Sequence, residues 1–129
     1  MNLSGRVFIL TGACGALGQA VSDCLIARGA KLALLGNRAH PEFRHPPGAM
    51  LYTGVDLSQK GAPSEIFDRV FNETGRIDGL VNLAGGFHWA KLEGGSLESW
   101  DSMFRVNLLT AVVSCEAVLP YLYEVNAAP

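Results

Sequence analysis

The stretch that most constrains the fold of this chain is VFILTGACGALG, residues 7–18. Four apolar residues come first, Gly12, Gly15 and Gly18 follow at intervals of three, and a helical pattern of apolar residues begins at once. This order predicts a buried strand, a tight turn and the N-terminus of a helix. Glycines let a backbone approach a pyrophosphate closely, and the unpaired N–H groups of a helix N-terminus attract an anion. The stretch therefore predicts a dinucleotide site, although a plain strand-to-helix turn has the same local pattern.

The composition is typical of a soluble globular protein, with one domain over residues 1–129. Apolar residues make up 49% and charged residues 17% of the chain, and the formal net charge is −2. This charge gives no reason to expect nucleic acid or an anionic membrane surface as a partner. Asn107 and Glu116 interrupt the longest apolar run, so we expect no membrane span. No signal-peptide pattern precedes the first strand, so we expect a cytoplasmic protein.

Cysteines and histidines predict neither disulfide bonds nor a metal site. The three cysteines are odd in number and have no Cys-x-x-Cys spacing. His40 and His45 lie five residues apart with no further plausible ligand nearby. We therefore assign no chemistry to the thiols and no metal to the chain.

Strands and helices alternate in the predicted pattern, which favours an α/β protein with a parallel sheet. Apolar runs predict further strands at 31–35, 49–55 and 77–84. Apolar residues at helical spacing predict helices between 18 and 29, at 63–74 and at 99–119. Three prolines between 40 and 48 predict that the second crossover helix is shortened or replaced by a loop.

Several of these segments resemble the short-chain dehydrogenase/reductase family. Thr-Gly-x-x-x-Ala-x-Gly at 11–18 resembles its cofactor loop, although Ala16 stands where classical members usually carry glycine. The same residues satisfy the Thr-Gly-x-x-Gly-x-x-Gly pattern of the extended branch of the family. DGLVNLAG at 78–85 resembles the Asp-x-Leu-Val-Asn-Asn-Ala-Gly segment, with Leu83 replacing the second asparagine. WDSMFRVNL at 100–108 resembles the family's helix, so the resemblance extends over the whole chain.

The resemblance implies a Rossmann-type doubly wound parallel sheet with strand order 3-2-1-4, the later strands being missing from this chain. It also implies binding of NAD or NADP at four places along the sequence. The implied cofactor-binding residues are Thr11, Gly12, Cys14, Gly15, Ala16, Leu17 and Gly18 in the glycine loop, Asn37 and Arg38 after the second strand, Asp56 and Leu57 after the third, and Asn82, Ala84 and Gly85 after the fourth.

Three of these residues also have a purely structural interpretation. Arg38 is interpreted equally well as a solvated arginine in a loop. Asp56 is interpreted as the cap of a turn, and Asn82 as a buried asparagine that is hydrogen-bonded to the backbone. For the cofactor itself, a carboxylate at the end of the second strand would select NAD, and none follows Leu35. Because a guanidinium pairs with a phosphate, Arg38 favours NADP, with NAD as the alternative.

Asn107 corresponds by resemblance to the helix asparagine of the family's catalytic tetrad, which helps to hold a proton-relay water. The family's tyrosine and lysine, spaced Tyr-x-x-x-Lys, move the hydroxyl proton. The residues four places after the three tyrosines of this chain are Asp56, Val125 and Ala127, so these 129 residues contain no such pair. They also end before the strand that carries the family's catalytic serine. We therefore expect the chain to bind a cofactor far better than it turns over a substrate.

Three interpretations of function remain open at this stage. The first is an oxidoreductase acting on a small carbonyl or alcohol substrate, of which this is the N-terminal half. The second is a non-catalytic NAD(P)-binding or sensor protein, and the third a half-fold that works only within an oligomer. Without a fifth strand, the fourth strand and the helix at 99–119 would expose apolar surface, so we expect a homo-oligomer.

Overall fold

The computed structural model describes residues 1–37 and 43–127. Strands and helices follow one another in the order expected of an α/β protein. The described elements are β1 (Val7–Thr11), α1 (Ala16–Ile26), β2 (Lys31–Gly36), β3 (Met50–Thr53), α2 (Ala62–Thr74), β4 (Gly79–Asn82), α3 (Leu97–Phe104), a π-helical turn (Arg105–Leu109) and α4 (Thr110–Ala127).

The four strands form one parallel sheet in the order β3-β2-β1-β4. In this register Phe8 of β1 lies between Leu32 of β2 and Gly79 of β4. The predicted order 3-2-1-4 is therefore confirmed. Since all four strands are parallel, their carboxyl ends meet at one edge of the sheet.

Alternate residues of the strands bury opposite faces of the sheet, as a doubly wound fold requires. In β2, Leu32 and Leu34 face the side covered by α1, while Ala33 and Leu35 face the side covered by α2 and α4. Phe67 of α2 is fully buried on that second side. Each face therefore has its own apolar core, which holds the carboxyl edge of the sheet in a fixed geometry.

The observed elements differ from the predicted ones mainly at their ends. β3 and β4 pair over four residues each, fewer than the apolar runs at 49–55 and 77–84 suggested. Apolar residues beyond the paired strands can be buried without belonging to the sheet, as Ile77 is before β4. Residues 43–49 contain no helix, in agreement with the expected loop, and the remainder of that segment lies outside the described residues.

The three helical segments from Leu97 to Ala127 form one continuous helix, here called the long helix. Ser96 caps its N-terminus by accepting a hydrogen bond from the N–H of Ser99 at 3.2 Å. The predicted end at 119 is wrong, because the helix continues through Pro120. Proline removes only one backbone hydrogen bond here, and the next residue, Tyr121, packs on Phe71 of α2 with ring centroids 5.2 Å apart.

The long helix is long and apolar enough to cross a membrane by length and composition alone, which the interrupted apolar run did not predict. It has 31 residues, and an 18-residue window reaches a mean hydropathy of 1.4. Asn107 and Glu116 do not lower this average enough to exclude a span. A core helix of a soluble protein passes the same test, so one such helix is weak evidence for a membrane.

Candidate functional site

A cavity of about 790 Å³ opens where the four strands end, and we call it the strand-end cleft. Its volume lies within the range of about 300–1,000 Å³ that is usual for small-molecule sites. Six residues predicted from the sequence line it, namely Gly12, Asn37, Asp56, Leu57, Ala84 and Gly85. The long helix forms a further wall that the sequence analysis missed, made of Leu97, Glu98, Asp101, Ser102, Arg105, Val106 and Thr110.

Two glycines of the loop between β1 and α1 are required by contacts within the protein. Gly12 has a φ of +63°, and a Cβ there would collide with the backbone of Leu83 and Ala84. A Cβ on Gly18 would collide with the backbone of Gly12 and Ala13. These two glycines therefore allow the loop to pack against the end of β4 and against α1, whether or not a ligand is bound.

Gly15 is different, because it is exposed and a Cβ there would make only an ordinary contact. A Cβ built there meets no atom nearer than the carbonyl oxygen of Gly12, at 3.5 Å. Gly15 is the N-cap residue of α1, no side chain among the described residues caps this helix, and Ala16 and Leu17 of its first turn are exposed. An exposed helix N-terminus with free N–H groups is an arrangement with which proteins hold phosphate groups.

Thr11 and Cys14 flank this loop but are turned into the protein. Thr11 is fully buried, and its Oγ1 accepts hydrogen bonds from the N–H groups of Leu83 and Ala84, both at 3.1 Å. This hydroxyl joins the end of β1 to the loop after β4. Cys14 is buried, and burial raises the pKa of its thiol, so it remains a neutral thiol at physiological pH.

The end of β2 forms the wall at which the sequence predicted the adenosine ribose. Leu35, Gly36 and Asn37 line the cleft there, and no carboxylate occurs among these three. The carbonyl of Asn37 accepts a hydrogen bond from the N–H of Gly54 at 2.9 Å, which ties this wall to the segment after β3. Arg38 lies outside the described residues.

Asp56 follows β3 and caps a turn while it lines the cleft. Its Oδ1 accepts hydrogen bonds from the N–H of Ser58 at 3.0 Å and from the Ser58 hydroxyl at 2.6 Å. The hydrogen bonds from Ser58 lower the pKa of Asp56, and the positive charge of Arg105 lowers it further. Asp56 is therefore an ionised acceptor at neutral pH. The neighbouring Leu57 is 7% exposed and packs into the core beneath the cleft.

Asn82 ends β4 and bonds to the long helix. Its Nδ2 lies 3.2 Å from Sγ of Cys115, toward which it donates. The interpretation of Asn82 as a buried asparagine bonded to backbone is wrong, because it is exposed and bonds to a side chain. The thiol on α4 was invisible to the local pattern, since it lies 33 residues away in sequence.

Asn107 lies within the π-helical turn and holds the loop after β4 in place. Its Oδ1 accepts from the N–H of Gly86 at 3.1 Å, while its Nδ2 donates to the carbonyl of Gly86 at 2.9 Å and to that of Met103 at 3.1 Å. A Cβ on Gly85 would lie 2.8 Å from the same Oδ1. The side chain of Asn107 thus sets the distance between the long helix and the Ala84–Gly86 backbone. π-Helical turns of this kind are common at functional sites.

The parallel sheet, the glycine turn into α1 and the cleft at the strand ends together define a Rossmann-type dinucleotide-binding fold. The model of the short chain dehydrogenase family matches residues 6–128. The chain therefore belongs to the short-chain dehydrogenase/reductase family, whose members bind NAD(P) and act on small-molecule substrates.

Individual relatives agree with this assignment. D-threitol dehydrogenase of Mycolicibacterium smegmatis is 32% identical over 123 residues, which cover 91% of this chain and 47% of the relative. The ligand-free aldohexose dehydrogenase of Thermoplasma acidophilum superposes with a TM-score of 0.84 at 26% identity, over 95% of this chain and 46% of that one. A glucose/ribitol dehydrogenase from Brucella melitensis superposes with a TM-score of 0.83 at 25% identity, over 95% of this chain and 54% of that one. The chain thus spans about half the length of the relatives it matches.

Proposed function

We propose that this chain is the cofactor-binding part of an NAD(P)-dependent oxidoreductase that transfers a hydride between nicotinamide and a carbonyl or alcohol substrate. The single observation that carries the proposal is the exposed N-terminus of α1 at Gly15, which no side chain of the described residues caps and which belongs to the loop whose Gly12 lines the strand-end cleft. That arrangement fits a pyrophosphate bridging the two halves of a dinucleotide. When bound, the nicotinamide ring would supply or accept the hydride.

The residues of this chain would bind and orient the cofactor in this proposal. The glycine loop, residues 11–18, would hold the pyrophosphate by its backbone. Asp56 and Leu57 would receive the adenine, whereas Asn82, Ala84 and Gly85 would border the nicotinamide ribose. Asn107 would act on the chemistry by holding the Gly86 backbone and a relay water at the nicotinamide end, the role that its place in the family motif implies.

For the cofactor we propose NADP, with NAD as the alternative. No carboxylate occurs at Leu35, Gly36 or Asn37, where an acid would repel a 2′-phosphate. The guanidinium of Arg38, the next residue, would pair with that phosphate. Arg38→Ala should therefore weaken NADP binding by about 1.5–3 kcal/mol, the usual size of a charged hydrogen bond, and leave NAD binding nearly unchanged. Calorimetric titration with each dinucleotide measures this difference, and equal losses for both would contradict the role of Arg38.

The proposed site is tested by a change that fills the space before Gly15. Gly15→Val should lower the affinity for both dinucleotides by at least about tenfold, because the side chain would occupy the approach of the phosphate. Ala20→Val is the matched control, since Ala20 is exposed one turn further along α1. Isothermal titration calorimetry with NAD and NADP measures both variants. Unchanged affinity in Gly15→Val would show that the pyrophosphate lies elsewhere.

Turnover distinguishes the oxidoreductase from the alternative, a non-catalytic NAD(P)-binding or sensor protein. The Tyr-x-x-x-Lys pair does not occur in these 129 residues, so the chain by itself should bind cofactor with little or no activity. D-threitol and aldohexoses are reasonable first substrates, because two relatives are named for oxidising them. Activity of a longer native protein that includes the pair would support the oxidoreductase. A native protein of this length that binds dinucleotide without turnover would favour the sensor.

We also propose that the protein is a cytoplasmic homo-oligomer. The long helix exposes an apolar stripe made of Trp100, Phe104, Leu108, Val112, Leu119 and Tyr123, each between 42% and 66% exposed. β4 lies at an open edge of the described sheet, beside this helix. A stripe of this length is covered most simply by the same stripe of a second copy, as in symmetric dimers. Self-association rather than lipid would thereby bury the long helix.

A further inference from the structure

The helix wall of the strand-end cleft carries a guanidinium that the proposed cofactor site leaves unused. Arg105 is the first residue of the π-helical turn and lines the cleft. Among the described residues that line it, Arg105 is the only cation, while Asp56, Glu98 and Asp101 carry carboxylates. Within the described residues, the only hydrogen bond of this side chain is an ion pair with Asp101 on the same helix.

Asp101 holds this guanidinium from one helical turn before it. Nε of Arg105 donates to Oδ2 of Asp101 at 3.2 Å. This bond uses one edge of the guanidinium, and no hydrogen bond joins its two terminal NH₂ groups to another described residue. The charge is therefore matched locally, while the flat face of the group and its other edge remain available to a ligand.

Asp56 lines the same cleft from the end of β3. Both residues line the cavity, and the positive charge of Arg105 adds to the effect of the Ser58 hydrogen bonds in lowering the pKa of Asp56. The part of the cleft that lies between the end of β3 and the long helix thus offers a carboxylate acceptor and a planar cation. An adenine ring matches this pair, because its amino group donates at the edge and its face stacks on guanidinium groups.

We propose that Arg105 binds the adenine ring of the dinucleotide by stacking on its face, with Asp101 holding the guanidinium in place. The inference rests on the proposed cofactor site and adds to it a binding residue from the long helix. Since NAD and NADP share the adenine, the contribution of Arg105 is the same for both. The proposal therefore differs from the role of Arg38, which acts on the 2′-phosphate alone.

The test compares Arg105→Ala and Arg105→Lys with a control on another helix, Arg69→Ala. Arg69 is exposed on α2 and does not line the cleft. Arg105→Ala should weaken NAD, NADP and adenosine monophosphate alike, by about tenfold, and leave nicotinamide mononucleotide unaffected. Arg105→Lys keeps the charge but loses the flat face, so it should recover little of the affinity. Calorimetry measures the affinity of each variant for each of these ligands, and circular dichroism checks that the variants fold.

Each other outcome overturns the inference in a recognisable way. A loss confined to NADP would make Arg105 a phosphate contact, and full recovery in Arg105→Lys would show that only charge matters. Unchanged affinity in Arg105→Ala, together with lost affinity in Gly15→Val, would reject this inference and leave the proposed function standing. A wild-type chain that binds none of these four ligands would reject both.

Discussion

Gly12 and Gly15 lie three residues apart in one turn, yet contacts within the described residues require glycine only at position 12. Gly12 has a positive φ and no room for a Cβ, because the backbone of Leu83 and Ala84 is in contact with it. Gly15 has an extended backbone, and a Cβ there would meet only the carbonyl oxygen of Gly12, at 3.5 Å. The sequence pattern treats both as phosphate-loop glycines, whereas the structure shows a folding requirement at Gly12 and none at Gly15.

Unfolding measurements distinguish these two requirements. Gly12→Ala should destabilise the protein by about 2–4 kcal/mol, from backbone strain and the collision with the loop after β4. Gly15→Ala should change stability by less than about 1 kcal/mol, since it meets only ordinary contacts. Urea denaturation followed by circular dichroism measures both. Equal losses would contradict the distinction and indicate that contacts within the protein constrain Gly15 as well.

At the scale of elements, Asp78 joins the start of β1 to the start of β4, at the edge of the sheet opposite the cleft. The side chain of Asp78 is 2% exposed, and its Oδ2 accepts from the N–H of Val7 and from Nε of Arg76, both at 2.8 Å. Burial raises the pKa of Asp78, but the hydrogen bonds from Arg76 and Val7 and the charges of Arg76 and Arg6 outweigh it. The net result is a lowered pKa. The carboxylate is thus an ionised link between the two strands.

The pH dependence of unfolding tests this link. A folded pKa below the unfolded one adds stability that is fully present above about pH 4, the unfolded value, and is lost as the pH falls through the folded pKa. Asp78→Asn should therefore lower stability by about 1–3 kcal/mol at pH 7 and flatten its decline below pH 4. Asp23→Asn, at an exposed position on α1, is the control. An acid decline that is the same in both variants would mean that Asp78 has no such role.

At the scale of the whole molecule, the long helix presents a stripe of exposed apolar side chains. Leu108 and Val112 lie at its centre, each about half exposed. Soluble monomers rarely expose a contiguous apolar surface that extends along a helix of this length. The stripe and the open edge at β4 are therefore expected to drive self-association of this chain.

Sedimentation across a dilution series tests the association. The wild-type chain should show a mass that rises with concentration in the micromolar range, and the double variant Leu108→Glu/Val112→Glu should remain a monomer, because two charges would be buried in the contact. Leu92→Glu is the control, since Leu92 is 80% exposed in the loop after β4. A monodisperse wild-type monomer that binds no hydrophobic dye would contradict the prediction, as would flotation of the chain with liposomes.

Most of the fold was predicted from local patterns in the sequence. The apolar run at 7–10, the glycines that follow and the alternation of apolar runs with helical spacing predicted the element order and, through the family resemblance, the strand order. These features depend on neighbours within a few residues, where periodicity reports directly which face is buried. Element ends were less well predicted, as Pro120 shows, because packing of Tyr121 on α2 outweighs the local preference of proline to end a helix.

Some residues of the cleft were predictable from the sequence, whereas others were placed there only by the tertiary structure. The sequence by itself determined that Gly12, Asp56 and Gly85 follow parallel strands, and parallel strands bring such residues to one edge. Only the tertiary structure decided which side chains complete that edge. The hydroxyl of Thr11 bonds to an amide 72 residues away, and Arg105 reaches the cleft because the long helix packs beside β4. Contacts between residues so far apart depend on how whole elements pack, which no local pattern of residues encodes.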